Sequence, residues 1–165
     1  MPDAFDRVVA ALASGNSAEE HRNGQAMRAA ANALLQAGAL PLDGMQDEAA
    51  RWLARSDAIQ RKPHAAAIPF RNRVLGAGYR MVAIAPGATT QFDQTFLAGQ
   101  RARVAVVALT NSEFSLSVRG DDGQSVCAAA SPKSRCDWVP AWTTRYAILL
   151  SNPGKIKSDY YVIMQ

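Results

Sequence analysis

The sequence predicts an α+β chain by content that is mainly β: an antiparallel, jelly-roll-like β-sandwich of about eight strands preceded by two or three short helices. Three observations lead there. Apolar residues recur at helical spacing through the first third and switch to alternation from Tyr79 onward. Turn chemistry punctuates the second half at short, regular intervals, and both cysteines, Cys127 and Cys136, fall close together within that half.

In the first third, Phe5, Val8, Val9 and Leu12 share one face of a helix over Asp3 to Ser14, which Gly15 and Asn16 are expected to end. Ser17-Ala18-Glu19-Glu20 has the S-x-x-E spacing of a capping box, in which hydroxyl and carboxylate satisfy free amides. It predicts a second helix running to about Ala37, with Ala26, Met27, Ala30, Leu34 and Leu35 inward and Gly38 as its stop. Asp43-Gly44-Met45-Gln46 predicts the start of a third, carrying Met45, Ala49, Trp52, Leu53 and Ile59 before Pro63. Short alanine-rich helices bury little area each and need a surface to pack on.

From Tyr79 the segments YRMVAIA, TTQFDQTFL, ARVAVVAL, EFSLSVR, QSVCAAA, RCDWVP, RYAILLS and DYYVIMQ read as strands. Pro86-Gly87, Ala98-Gly99, Asn111-Ser112, Asp121-Asp122-Gly123, Ser131-Pro132 and Asn152-Pro153-Gly154 supply the turns between them. Phe114, Leu116 and Val118 take one face of a strand, and Ser115, Ser117 and Arg119 the other. The implied organisation is a helical segment over 1–62, a linker over 63–78 broken by Pro and Gly, and a sandwich over 79–165.

The cysteines lie too far apart for a C-x-x-C pair, and His21 and His64 are remote in sequence, so neither a zinc clip nor a catalytic dithiol is indicated. Two strands joined by AASPKS would instead bring Cys127 and Cys136 to facing or near-facing positions at disulfide distance. A disulfide implies a periplasmic or secreted protein, whereas two reduced core cysteines would suit the cytosol. After Met1, Asp3, Asp6 and Arg7 interrupt any apolar run, so no secretory signal is visible; a mature chain freed of its leader would look the same.

The net charge of +4 comes mainly from Arg51, Arg55, Arg61, Lys62, Arg71, Arg73 and Arg80, opposed in that stretch by Asp57 alone. No aromatic-interleaved RNA motif or Cys/His finger accompanies these cations, which argues against a nucleic-acid partner. The stretch could still bind an anionic surface, with an affinity that falls steeply with salt. No run is long and apolar enough to span a bilayer.

The order of residues in the second half has a familiar shape. APGATTQFDQTFLAGQRARVAVVA, FSLSVRGDDGQSVC, CDWVPAWTTRYAILLSNPG and the closing DYYVIMQ carry the D-x-x-G-like turn at Asp121 and Gly123, the Trp138/Pro140 pair, and Tyr146 leading to Asn152 and Gly154. Over about residues 79–165 this resembles the bacterial pre-peptidase C-terminal, or PPC-like, domain. The resemblance implies a jelly-roll-like sandwich, export, and a non-catalytic role in binding or assembly. Some members of that family bind calcium at the sandwich edge; Asp121 and Asp122 are the candidates here, without a third carboxylate beside them.

For catalysis, His21 reads as a solvated helix residue and His64 as an exposed linker residue, while Asp93, Glu113 and Asp137 stand apart in the strands. No G-x-S-x-G, P-loop, dinucleotide fingerprint or H-E-x-x-H is present, so neither enzyme activity nor a cofactor is expected. Among the tryptophans, Trp138 is expected to pack on the sulfur bridge, and Trp142 to be the better candidate for an exposed contact. Trp52 is expected to anchor the helices to the sandwich or to another chain. The function that follows is a non-catalytic exported binding or assembly protein. Its contacts would be with a protein partner or a second copy, through the helices (Trp52, Arg51, Arg55) and the sandwich edge. The alternative is a carbohydrate-binding module of the cell envelope that stacks sugars on Trp142 and Tyr79.

Overall fold

The structure, a computed structural model, describes residues 1–63 and 76–165. The expected linker therefore lies largely outside the described residues, and so does His64. The chain divides into two compact units, Met1–Arg80 and Met81–Gln165. Among the described residues there are three α-helices and nine strands, an α+β content that is mainly β.

In the first unit, α1 spans Ala4–Glu20, α2 Gly24–Gln36 and α3 Glu48–Gln60. Gly15 and Asn16 do not end α1, and Ser17 does not cap a new helix. Trp52 explains the difference. Its fully buried ring lies against Gly15, where an added β-carbon would stand 2.2 Å from the indole. An interior glycine costs a helix about 1 kcal/mol relative to alanine, but here it is what lets α3 lie against α1. The α2 cap is Asn23, whose Oδ1 accepts from the Ala26 amide at 3.0 Å. Met27, Ala30 and Leu34 are buried as spaced, whereas Leu35 is exposed.

The start of α3 also lies later than expected. Its N-cap is Asp47, which accepts from the Ala49 and Ala50 amides, while the Tyr79 hydroxyl accepts from the Glu48 amide at 2.9 Å. Three free amides of the first turn are thereby satisfied. The preceding residues are occupied otherwise: β1, Leu40–Pro41, pairs in parallel with Gly78 and Tyr79.

All eight strands read from the sequence form: β2 Gly78–Ile84, β3 Thr89–Phe96, β4 Ala102–Ala108, β5 Ser115–Arg119, β6 Ser125–Ala130, β7 Arg135–Trp138, β8 Thr144–Ser151 and β9 Ser158–Met164. In the second unit one sheet runs β2-β9-β4-β7 and the other β3-β8-β5-β6. From β2 onward, only the β5 to β6 connection stays within a sheet; every other one crosses to the opposite sheet, as jelly-roll-like sandwiches do. Leu116 stands opposite Leu150 and Val118 opposite Ile148, and all four are buried, while Ser115 and Arg119 are exposed. Where β8 ends, the buried side chain of Asn152 donates to the Ile84 and Ile156 carbonyls and accepts from the Gly154 amide. It thus satisfies three backbone groups of the β8–β9 loop and the end of β2.

Cys127 and Cys136 are disulfide-bonded, with Cα atoms 5.8 Å apart. The bond joins two sheets, not the arms of one hairpin. Cys127 stands opposite Val118 on β5 and Cys136 opposite Val104 on β4, and both valines are fully buried. Each cysteine therefore takes the core-facing register of an edge strand, and the sulfur bridge closes one open side of the sandwich. In AASPKS the chain turns a corner from one sheet to the other, with a cis peptide at Ser131-Pro132.

Candidate functional site

At one end of the sandwich the β3–β4 loop (97–101) and the β7–β8 loop (139–143) are hydrogen-bonded to each other. The Ala98 amide donates to Thr143 Oγ1 at 2.9 Å and the Gly99 amide to the Pro140 carbonyl at 2.8 Å. The β5–β6 turn joins them, because Thr144 Oγ1 donates to Asp121 Oδ2 at 2.8 Å. These loops hold their apolar side chains out to solvent: Trp142 is 78% exposed, Val139 63% and Leu97 48%.

Beneath them the strand ends carry an aromatic cluster. Phe96 meets Trp138 edge-on at 4.9 Å between centroids and Tyr146 at 5.9 Å, and Trp138 lies 5.4 Å from Tyr146. Edge-to-face pairs each add about 0.5 to 1.5 kcal/mol beyond burial, so the loops stand on a stiff floor. Trp138 contributes to this floor with Phe96 and Tyr146. Its Nε1 is buried and makes no hydrogen bond among the described residues. At the rim, Arg101 pairs with Asp137 at 3.2 Å, both substantially exposed.

The remaining candidates lie elsewhere. Tyr79 is only 2% exposed and its hydroxyl is engaged at the start of α3, so its ring has no face free to stack a sugar. Burial raises the Tyr79 hydroxyl well above the ordinary tyrosine range, the Glu48 amide working against it. Trp52 is fully buried, packed on Gly15, with Nε1 donating to Glu19 Oε2 at 3.1 Å; it is a core residue of the first unit, not an outward anchor.

Arg51 forms a bidentate pair with Glu19 and a second pair with the buried Glu48, while Arg55 pairs with Glu19 at 3.0 Å and is half exposed. The hydrogen bond from Arg51 holds the Glu19 carboxyl below its ordinary range, against the opposing effect of burial; the Trp52 hydrogen bond and the charges of Arg51 and Arg55 add to the lowering. The Arg51 guanidinium is correspondingly held protonated by Glu19 and Glu48, although burial acts the other way.

Asp121 and Asp122 serve the β5–β6 turn, Asp121 accepting from Thr144 and Asp122 from the Gln124 amide at 2.9 Å. Among the described residues no three of His, Cys, Asp and Glu gather as metal ligands. His21 ends α1 on the surface, its Nδ1 2.8 Å from the Ser17 carbonyl. Asp93 lies on β3 and Glu113 before β5, apart from the Asp137–Arg101 pair. No helix among the described residues is long and apolar enough to cross a membrane.

Sequence reasoning singled out Trp142 but missed Leu97 and Val139. Both sit at strand ends where alternation gives no sign of solvent or core, and only the crossing of the chain between sheets brings their loops together.

No protein-family model matches the chain, and no curated protein matches it. Among solved structures it is similar to the Yersinia pseudotuberculosis-derived mitogen, at 11% identity over 55% of this chain and 85% of that one, with a TM-score of 0.48. It is also similar to the periplasmic inhibitor of g-type lysozyme from Aeromonas hydrophila, at 11% identity over 54% and 86% of the two chains and a TM-score of 0.43. A pre-peptidase C-terminal domain of a Bacillus anthracis collagenase is similar at 6% identity over 53% and 87%, with a TM-score of 0.47.

Proposed function

We propose that this is a non-catalytic binding protein of an oxidising compartment, periplasmic or secreted, that engages a protein partner through the loop end of its sandwich. The observation that carries this is the joint exposure of Trp142, Val139 and Leu97 on two loops hydrogen-bonded to one another. Binding energy at protein interfaces concentrates in a few aromatic anchors surrounded by contacts that exclude water, with polar residues at the rim. Trp142 has the anchor's chemistry, Val139 and Leu97 that of its surround, and the Arg101–Asp137 pair that of the rim. Loops already fixed by hydrogen bonds and an aromatic floor lose little freedom on binding.

The Cys127–Cys136 bridge supports the exported address, since thiols stay reduced in most cytosols. Membership of the PPC-like family belongs to the same reading and rests on the order of residues from Tyr79 to Gln165. Catalysis is not part of it: Asp137 is tied to Arg101, and His21 lies at a helix end in the other unit.

A photo-reactive residue placed at Val139 or Leu97, with Ile156 in the β8–β9 loop as an exposed control, tests the proposal in cells. A discrete protein adduct from 139 and 97, absent from 156 and lost when Trp142→Ala is added, is the expected result. No adduct, or equal adducts from all three positions, contradicts it. A single exposed indole also suits sugar stacking; binding to envelope polysaccharide that vanishes in Trp142→Ala, without a protein adduct, would replace the protein partner by a carbohydrate. An adduct with the mass of a second copy, and a molar mass that rises with concentration in light scattering, would identify the partner as the chain itself.

A further inference from the structure

A second, differently built site lies in the first unit. The turn between α1 and α2 packs directly on the last turns of α3: Gly24 stands against Ile59 and Gln60, an added β-carbon falling 3.0 Å from Gln60 Cγ, and the buried Ser56 Oγ donates to the Gly24 carbonyl at 2.7 Å. This close approach frames a cavity of about 400 Å3 lined by Arg22, Arg55, Ala58, Ile59 and Arg61.

Two properties set the cavity apart. Arg22 and Arg61 both have φ of 51°, and they are the two non-glycine residues with left-handed backbone among the described residues. Glycine adopts that conformation freely where a helix ends, whereas a residue with a β-carbon meets steric opposition. A cation near a helix C-terminus gains from the dipole, but that gain does not require the left-handed position itself to be arginine. Backbone strain of this kind gathers where function demands the side chain.

The charge of two of these arginines is also unpaired among the described residues. Arg55 is paired with Glu19, but the Arg22 and Arg61 side chains make no ion pair or side-chain hydrogen bond among the described residues. Asp57, the acid nearest in sequence to Arg61, is paired with Arg28 at 2.8 Å.

We infer that this cavity binds a phosphate ester. Guanidinium groups present planar, paired donors that match phosphate oxygens; two arginines without an ion pair among the described residues balance a dianion, and Arg55 stands beside them. The volume exceeds that of phosphate alone, and the half-buried Ile59 with the exposed Ala58 adds apolar surface for a small organic group.

The test titrates the full chain with glycerol 3-phosphate, and with vesicles containing phosphatidic acid, a lipid phosphomonoester, while following the arginine Nε–Hε resonances and vesicle co-sedimentation. Saturable shifts of Arg22 and Arg61, weakened at least roughly tenfold in Arg22→Gly and in Arg61→Gly, are expected from the loss of charge-assisted hydrogen bonds. Glycine suits the left-handed backbone, so both variants should melt no lower than the parent. Arg22→Gln and Arg61→Gln, which keep the apolar stems, should show the same weakening. Binding of glycerol 3-phosphate without vesicles assigns a soluble ester, and arginine-dependent binding to vesicles assigns a lipid headgroup. No saturable shift with either probe, equal shifts from chloride at matched ionic strength, or undiminished binding by the glycine and glutamine variants overturns the inference.

Discussion

Cys127 on β6 and Cys136 on β7 are bonded across the two sheets of the sandwich, each in register with a buried valine of its own sheet. The bond closes a loop of about ten residues, which in the chain-entropy account contributes roughly 2 to 3 kcal/mol. Replacing both cysteines by alanine is expected to lower the free energy of unfolding by about that amount in urea titrations, with β6 and β7 losing most hydrogen-exchange protection. An unchanged midpoint would show that the edges close without the bridge.

Gly15 and Trp52 are in close contact within the first unit. Alanine at position 15 would ordinarily favour a helix interior by about 1 kcal/mol, yet its β-carbon would meet the indole at 2.2 Å. Overpacking of this kind costs about 1 to 3 kcal/mol, so Gly15→Ala is expected to lower the thermal midpoint and shift the Trp52 fluorescence. A raised midpoint would mean that the ring moves aside freely.

Much of this architecture was legible in the sequence, and the exceptions have physical causes. Alternation located strands such as β5, where Leu116 and Val118 meet the core and Ser115 and Arg119 do not, whereas β9, buried on both faces from Tyr160 to Met164, was legible from its Val, Ile and Tyr content. The disulfide read between facing or near-facing strands is present, but alternation does not say which sheet a strand joins, so that it bridges the two sheets was not legible. Local helix signals failed where tertiary packing overrode them: Gly15 reads as a stop until Trp52 is seen to need the space. Tyr79 read as a ligand-stacking ring because the backbone amide of Glu48, which its hydroxyl caps, has no signature in sequence.

Asn152 makes all three of its side-chain hydrogen bonds to backbone groups while 1% exposed. Asn152→Ala leaves those groups buried and unpaired, which costs about 1 to 3 kcal/mol. The expected readout is a lowered denaturation midpoint together with faster amide exchange at Gly154, the residue whose amide the side chain accepts from.

Glu19 gathers Arg51, Arg55 and the Trp52 indole around one carboxylate. Its folded pKa lies below the ordinary 4.5, so the associated stability is complete above that value and is lost as pH falls through the folded pKa. Urea midpoints between pH 6 and pH 2 should fall in the parent, with part of that fall missing in Glu19→Gln, which should be less stable than the parent at pH 6. Parallel pH profiles would remove Glu19 from the acid response.

The bridge between the sheets also bears on the proposed exported address. Chain isolated from its own cells under acid quench, alkylated before reduction and weighed intact, is expected to carry no alkyl groups and to gain two only after reduction. Two alkyl groups before reduction would place Cys127 and Cys136 in a reducing compartment and contradict an exported, clamped sandwich.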